Sequence, residues 1–214
     1  DPEFAGLARD VLKQVDHEVQ VLDVADALYT GGAQPLGTLD YEDWLAAGDP
    51  DFQWSLPGDE WQAISLNYTS GTTGNPKGVV YHHRGAYLAA VSNLLAARMA
   101  DPAVYLWTLP LFHCNGWCFA WSLAANSGTQ VCLRRVEPLL VLQLMAEHRV
   151  THLCGAPIVY SLLMNVPSEQ RPPLTPPIQA LVAGAAPPAA ILEGMRQLGL
   201  NVCHVYGLTE TYGP

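Results

Sequence analysis

Ser70, Thr72 and Thr73 stand among three glycines, Gly71, Gly74 and Gly78, within Tyr68-Thr-Ser-Gly-Thr-Thr-Gly-Asn-Pro-Lys-Gly-Val79. Glycines let the backbone curl closely around a ligand and aim its N–H groups inward. The hydroxyls add donors and Lys77 adds a fixed positive charge, a set that suits a polyphosphate. Pro76 before the lysine and Gly78 after it depart from the Walker A pattern. A plain glycine turn needs neither three hydroxyls nor a lysine.

Three further segments carry residue types of chemical interest. Leu109-Pro-Leu-Phe-His-Cys-Asn-Gly-Trp117 holds His113 and Trp117. Val182-Ala-Gly-Ala-Ala-Pro-Pro188 is a run of small residues, and Val205-Tyr-Gly-Leu-Thr-Glu-Thr-Tyr-Gly213 sets a hydroxyl next to a carboxylate. Taken singly, each has an ordinary reading. His113 among apolar residues reads as a satisfied core histidine, and Glu210 as a surface carboxylate. Trp117, Phe119 and Trp121 read as core packing as readily as the wall of an acyl pocket. His82 and His83 have no partner visible in the sequence and read as positioning or surface groups.

Regular elements must hold these segments in place. Runs at residues 63–68, 104–109, 129–134, 151–154, 179–182 and 201–206 read as strands. Residues 84–99, 118–125, 137–148, 157–165 and 188–198 read as helices; Pro157 opens one and Gly199 ends another. Upstream, the pattern predicts a helix at 3–13, a strand at 19–24, a loop at 31–37, a short helix at 41–47 and surface loop at 49–58. Short strands alternating with helices predict an α/β fold with mainly parallel sheets flanked by helices. In such sheets ligands sit beyond the carboxyl ends of strands, and the four segments each follow a strand, after Tyr68, Leu109, Val182 and Val205. The glycine loop is placed between a strand and a helix. Residues 171–177, rich in proline, read as a stiff surface connection rather than a P-x-x-P ligand.

Half of the 214 residues are hydrophobic and 14% are charged, as in a globular chain. A formal charge of -10 argues against a nucleic-acid partner, whose phosphates need basic residues. Cys114, Cys118, Cys132, Cys154 and Cys203 form no C-x-x-C pair and read as buried, reduced thiols of an intracellular protein. No apolar run approaches the length of a membrane span, and Asp1-Pro-Glu-Phe-Ala lacks the pattern of a secretory signal.

The loop at 68–79 and Tyr206-Gly-Leu-Thr-Glu-Thr211 closely resemble the signatures of the adenylate-forming superfamily, which comprises acyl-CoA synthetases, adenylation domains and firefly-type luciferases. The resemblance spans about residues 62–214. His113-Cys-Asn-Gly-Trp-Cys118 and the opening Asp1-Pro-Glu-Phe-Ala-Gly-Leu-Ala look most like the AMP-forming medium-chain fatty acid–CoA and methylmercaptopropionate–CoA ligases. The resemblance implies a two-step reaction. A carboxylate attacks the α-phosphate of ATP to give acyl-adenylate and pyrophosphate, and a thiol, usually of coenzyme A, then takes the acyl group.

Several roles follow from that resemblance. Thr69, Ser70, Gly71, Thr72, Thr73, Gly74 and Lys77 would hold the β- and γ-phosphates. Gly184, Ala185 and Ala186 would back the adenine, with Tyr206 on its other face and Gly207 beside it. Thr209 would bond the α-phosphate, and Glu210 with Thr72 would hold Mg²⁺. His113 would lie by the substrate carboxylate, with Trp117 and Gly184 near the acid. Thr209, Glu210, Lys77 and His113 are the expected catalytic residues.

The resemblance also divides the chain into a connecting part, residues 1–61, and an ATP- and acyl-binding core, residues 62–214. The chain is expected to be an internal fragment of a cytoplasmic enzyme. In the family, the ribose-binding aspartate, the hinge and a C-terminal domain with its catalytic lysine come later, so the fragment alone is expected not to adenylate. Rival readings stay open. An amino-acid-activating domain needs an acid to pair the substrate ammonium, and the segment after Leu109 has none. A carrier-protein acceptor, a luciferase-like oxygenase and a non-catalytic nucleotide-binding module remain, and oligomeric state, homo-oligomer included, is undetermined.

Overall fold

The computed structural model describes residues 1–32, 34–69, 74–99 and 101–214. They fall into two units, Asp1–Leu56 and Pro57–Pro214. The first holds α1 (Ala5–Leu12), β1 (Leu22–Asp23), β2 (Leu39–Asp40) and α2 (Tyr41–Ala46). The two strands pair in parallel. Asp40 caps α2 by accepting from the N–H groups of Glu42 and Asp43 at 2.8 and 3.4 Å. The strand expected at 19–24 shrinks to Leu22–Asp23, and β2 had no sequence signal.

The second unit begins with β3 (Ala63–Tyr68) and β4 (Gly78–His82), an antiparallel pair, followed by α3 (His83–Ala96). The glycine loop therefore joins two strands of a hairpin, and not a strand to a helix. The hairpin was hidden because Gly78-Val-Val-Tyr-His82 runs straight into the helix with no turn residue between them. His82 marks the boundary: its Nδ1 accepts from the Gly85 N–H at 3.0 Å, which caps α3.

Then follow β5 (Val104–Leu106), the single turn α4 (Cys114–Trp117), α5 (Phe119–Ala125), β6 (Thr129–Val131), α6 (Pro138–Glu147) and β7 (His152–Gly155). The chain closes with α7 (Pro157–Met164), β8 (Ile178–Val182), α8 (Ala189–Gln197) and β9 (Leu200–His204). The last five strands form one all-parallel sheet in the order β6-β5-β7-β8-β9.

Both faces of that sheet are covered, so its strands read as nearly continuous apolar runs. Leu106, Leu153, Ala180 and Val182 point to one face and pack with Leu142 and Met145 of α6, Tyr160 and Leu163 of α7, and Met195 of α8. Tyr105, Trp107, Cys154 and Leu181 point to the other and pack with Phe119 and Leu123 of α5. The alternation of neighbours along each strand is the two-residue period of a strand buried on both sides.

Candidate active site

The strand order reverses direction between β5 and β7: the chain leaves β5 toward β6, then returns past β5 to β7. Loops that diverge at such a point leave a crevice beyond the strand ends. A cavity of about 590 Å³ lies there. Its wall is built by the segment after β5 (Thr108, His113, Trp117), the end of β7 and the residue after it (Gly155, Ala156) and the segment after β8 (Ala183, Gly184), with Gly207 and Thr209 beyond β9. Thr108 ties two of these segments together, its buried hydroxyl donating to the Cys154 carbonyl at 2.7 Å.

Of the residues expected to act, His113, Trp117, Gly184, Gly207 and Thr209 line this cavity. Thr69, Gly74, Lys77, Ala185, Ala186, Tyr206 and Glu210 do not line it. Lys77 and Glu210 are exposed, and Tyr206 is 79% exposed. Ser70, Gly71, Thr72 and Thr73 lie outside the described residues. The base of their loop is described: the Thr69 N–H donates to the Lys77 carbonyl and the Lys77 N–H to the Thr69 hydroxyl, both at 3.0 Å.

His113 is not a core histidine. It is exposed, lies beside Phe112, and heads an unusual stretch of backbone. Cys114, Asn115, Gly116, Trp117 and Cys118 have φ values of 43°, 45°, 66°, 52° and 64°. This is a turn of left-handed helix, which costs about 1–2 kcal/mol for each residue with a Cβ. Gly116 is required twice over, because a Cβ there would meet the Trp107 ring at 2.6 Å. Asn115 accepts at Oδ1 from the Ser65 hydroxyl at 2.9 Å and from Asn67 Nδ2 at 2.7 Å. The Trp117 carbonyl accepts from Asn93, a side chain only 3% exposed, at 2.8 Å.

The three aromatics of this region part company. Trp117 lines the cavity, whereas Phe119 is fully buried against Tyr105. Trp121 belongs to neither, and its indole N–H donates to the Tyr212 hydroxyl at 2.9 Å.

Thr209 opens a 3-10 turn, Thr209–Thr211, that also carries Glu210. The Tyr81 hydroxyl donates to the Thr209 carbonyl at 2.5 Å, and the Tyr81 ring stacks on Tyr212 with centroids 3.9 Å apart. Burial, with Cys114 beside it, pushes the Tyr81 phenol well above its ordinary range, so the hydroxyl remains a donor. Burial likewise raises the Cys114 thiol, against opposing hydrogen bonds with Thr209 and Tyr81.

Among the described residues no three His, Cys, Asp or Glu side chains converge as a metal cage. A single exposed carboxylate, Glu210, fits Mg²⁺ all the same, because that ion takes one or two carboxylates and fills its shell with phosphate oxygens and water.

A family model described as AMP-binding enzyme matches residues 7–214. The chain belongs to this family. It is 49% identical over 226 residues to the acetate/butyrate–CoA ligase AAE7, peroxisomal, of Arabidopsis thaliana, covering 100% of this chain and 40% of the relative. It is 45% identical over 226 residues to the acetate–CoA ligase CCL3 of Humulus lupulus, again covering 100% and 40%. The chain thus spans about 40% of the length of these curated relatives. Among solved structures it resembles the O-succinylbenzoate coenzyme A synthetase of Bacillus subtilis in complex with ATP and magnesium ion. That match has a TM-score of 0.70 and 27% identity and covers 82% of this chain and 36% of the other.

Two groups of residues at or behind the cavity wall escaped the sequence reading. Gly155 ends the strand β7 and Ala156 follows it, and the same strand-end rule would have found them. Tyr81 and Asn115 do not line this cavity and gave no signal, since their partners lie far away in sequence.

Proposed function

We propose that the protein carrying this chain activates a hydrophobic aliphatic carboxylic acid with ATP and passes the acyl group to coenzyme A. The observation that carries this reading is the convergence of His113, Trp117, Gly184 and Thr209 on one cavity at the sheet's switch point. A cavity of about 590 Å³ has the size of a small-molecule site. The names of the two relatives, for acetate and butyrate, favour the short end of the aliphatic range.

In the first step a carboxylate oxygen bonds to the α-phosphorus while the bridging bond to the β-phosphate breaks and pyrophosphate leaves. Thr209 would donate to the α-phosphate, and residues 69–74 with Lys77 would hold the departing charge. Gly184, Ala185 and Ala186 would back the adenine, with Tyr206 and Gly207 alongside. His113 would meet the acid carboxylate and Trp117 its alkyl chain. Mg²⁺, held by Glu210 and Thr72, would neutralise phosphate charge. In the second step the coenzyme A sulfur bonds to the acyl carbon, the carbon–oxygen bond to AMP breaks, and the thiol proton passes to solvent.

We also propose that residues 62–214 form the ATP- and acyl-binding core, that they do not adenylate alone, and that the enzyme is cytoplasmic. The peroxisomal designation of one relative makes imaging of the tagged protein the check on location. Among the described residues no helix is long and apolar enough to cross a membrane.

ATP–pyrophosphate exchange by the full-length protein across short, medium, aromatic and amino acids tests the reading. Exchange with short aliphatic acids, followed by acyl-CoA formation, is expected. Exchange with amino acids alone would overturn it.

A further inference from the structure

The hairpin β3–β4 has two unlike faces. Cross-strand register sets Leu66 opposite Val80 on one face, both exposed. The other face pairs Ser65 with Tyr81 and Asn67 with Val79, all at least half-buried. Polar side chains facing inward destabilise a fold unless they are paired. Here each is paired with a segment of the cavity wall. Ser65 and Asn67 grip Asn115 inside the left-handed turn between His113 and Trp117. Tyr81 grips the carbonyl of Thr209 and stacks on Tyr212, two residues beyond Glu210.

One two-stranded element thus holds the turn with His113 and the turn with Thr209 by separate side-chain bonds. Its own tip is the phosphate loop, whose base is closed by the Thr69–Lys77 pair. Asn67, Asn115 and Tyr81 do not themselves line the cavity.

We infer that Asn67, Asn115 and Tyr81 are positioning residues: through the hairpin they set the spacing between the acid side and the α-phosphate side of the cavity. The inference rests on the ligase reading above. In-line attack depends on that spacing, and a displacement near 1 Å can cost about 10²-fold in rate while contacts to each substrate persist. The signature of such residues is a loss in kcat with little change in KM. A residue needed only for folding lowers the amount of active enzyme and its melting temperature instead.

The test uses the full-length protein and ATP–pyrophosphate exchange, with active enzyme counted by acyl-adenylate formed in a single turnover. Tyr81→Phe keeps the ring on Tyr212 and removes only the donor. Asn115→Gly keeps the left-handed backbone, where glycine is unstrained, and removes the acceptor. Each variant is expected to lose tenfold or more in kcat per active site, with KM for ATP and for acid within about threefold of wild type. Wild-type kcat in both variants overturns the inference and leaves the ligase reading intact, as does a loss confined to KM or to the fraction folded. Should Asn115→Gly not fold, Tyr81→Phe alone decides. Absence of exchange by the wild-type protein with any acid sinks the ligase reading and this inference together.

Discussion

The Tyr81 hydroxyl bonds the carbonyl of Thr209 across 128 residues of sequence, at 2.5 Å. Through it a strand that leads away from the glycine loop fixes the turn bearing Glu210. The bond holds the backbone of that three-residue turn at Thr209, while Glu210 next to it is exposed.

Lys77 and Glu210 are both exposed and both outside the cavity. Replacing either with alanine in the full-length protein should leave acid binding within a few-fold of wild type. Acyl-adenylate formation in a single turnover should fall by about 10²–10³, the scale for losing one preorganised electrostatic partner. Unchanged single-turnover rates in both variants would sink the assignment of the phosphate side.

Trp117 and Phe119 are two residues apart and should behave oppositely. Phe119→Ala empties a fully buried site against Tyr105 and should cost about 3–5 kcal/mol in urea unfolding. Trp117→Ala should cost less stability and instead raise KM for a short acid, while admitting bulkier acids. Equal effects on stability and on KM would contradict the separate placement of the two rings.

Gly116→Ala puts a methyl group 2.6 Å from the Trp107 ring at a φ of 66°. Left-handed strain and overpacking together should destabilise by roughly 2–4 kcal/mol. Asn115→Gly, one residue earlier, should cost less because it relieves strain while losing hydrogen bonds. Chemical denaturation of the pair gives the order.

The thiols should divide by burial, and here the sequence expectation of five buried cysteines was wrong. Cys132 and Cys203 are exposed, Cys114 is half-buried, and Cys118 and Cys154 are buried. Burial pushes Cys118 and Cys154 from 9.0 up to about 12. Alkylation of native protein at pH 8 should therefore label Cys132 and Cys203 first and spare Cys118 and Cys154. The same shifts make stability fall as pH rises above about 9, because the unfolded thiols lose protons that the folded ones keep. His152, lowered by burial, acts at the other end: stability should fall as pH drops through 6.5, where only the unfolded imidazole gains a proton. A melting temperature that rises from pH 9 to 11 would contradict the burial of these groups.

The alternation of short apolar runs with helical periods was enough to read the five parallel strands and the helices that cover them. It was enough because burial on both faces imposes a pattern on every strand. Local chemistry also singled out His113, Trp117, Gly184, Gly207 and Thr209, which the fold brings to one cavity. Three things lay beyond it. The hairpin β3–β4 was invisible, since strand pairing is a relation between segments and Gly78-Val-Val-Tyr-His82 alone reads as the lead-in to a helix. The left-handed turn at Asn115 was invisible because its cost is met by Ser65 and Asn67, about fifty residues away. The bond from Tyr81 to Thr209 was invisible for the same reason. Residue types determined what chemistry the chain offers. The tertiary structure alone decided which of those residues share a cavity and which hold the others in place, because hydrogen bonds between distant segments leave no periodicity in the sequence.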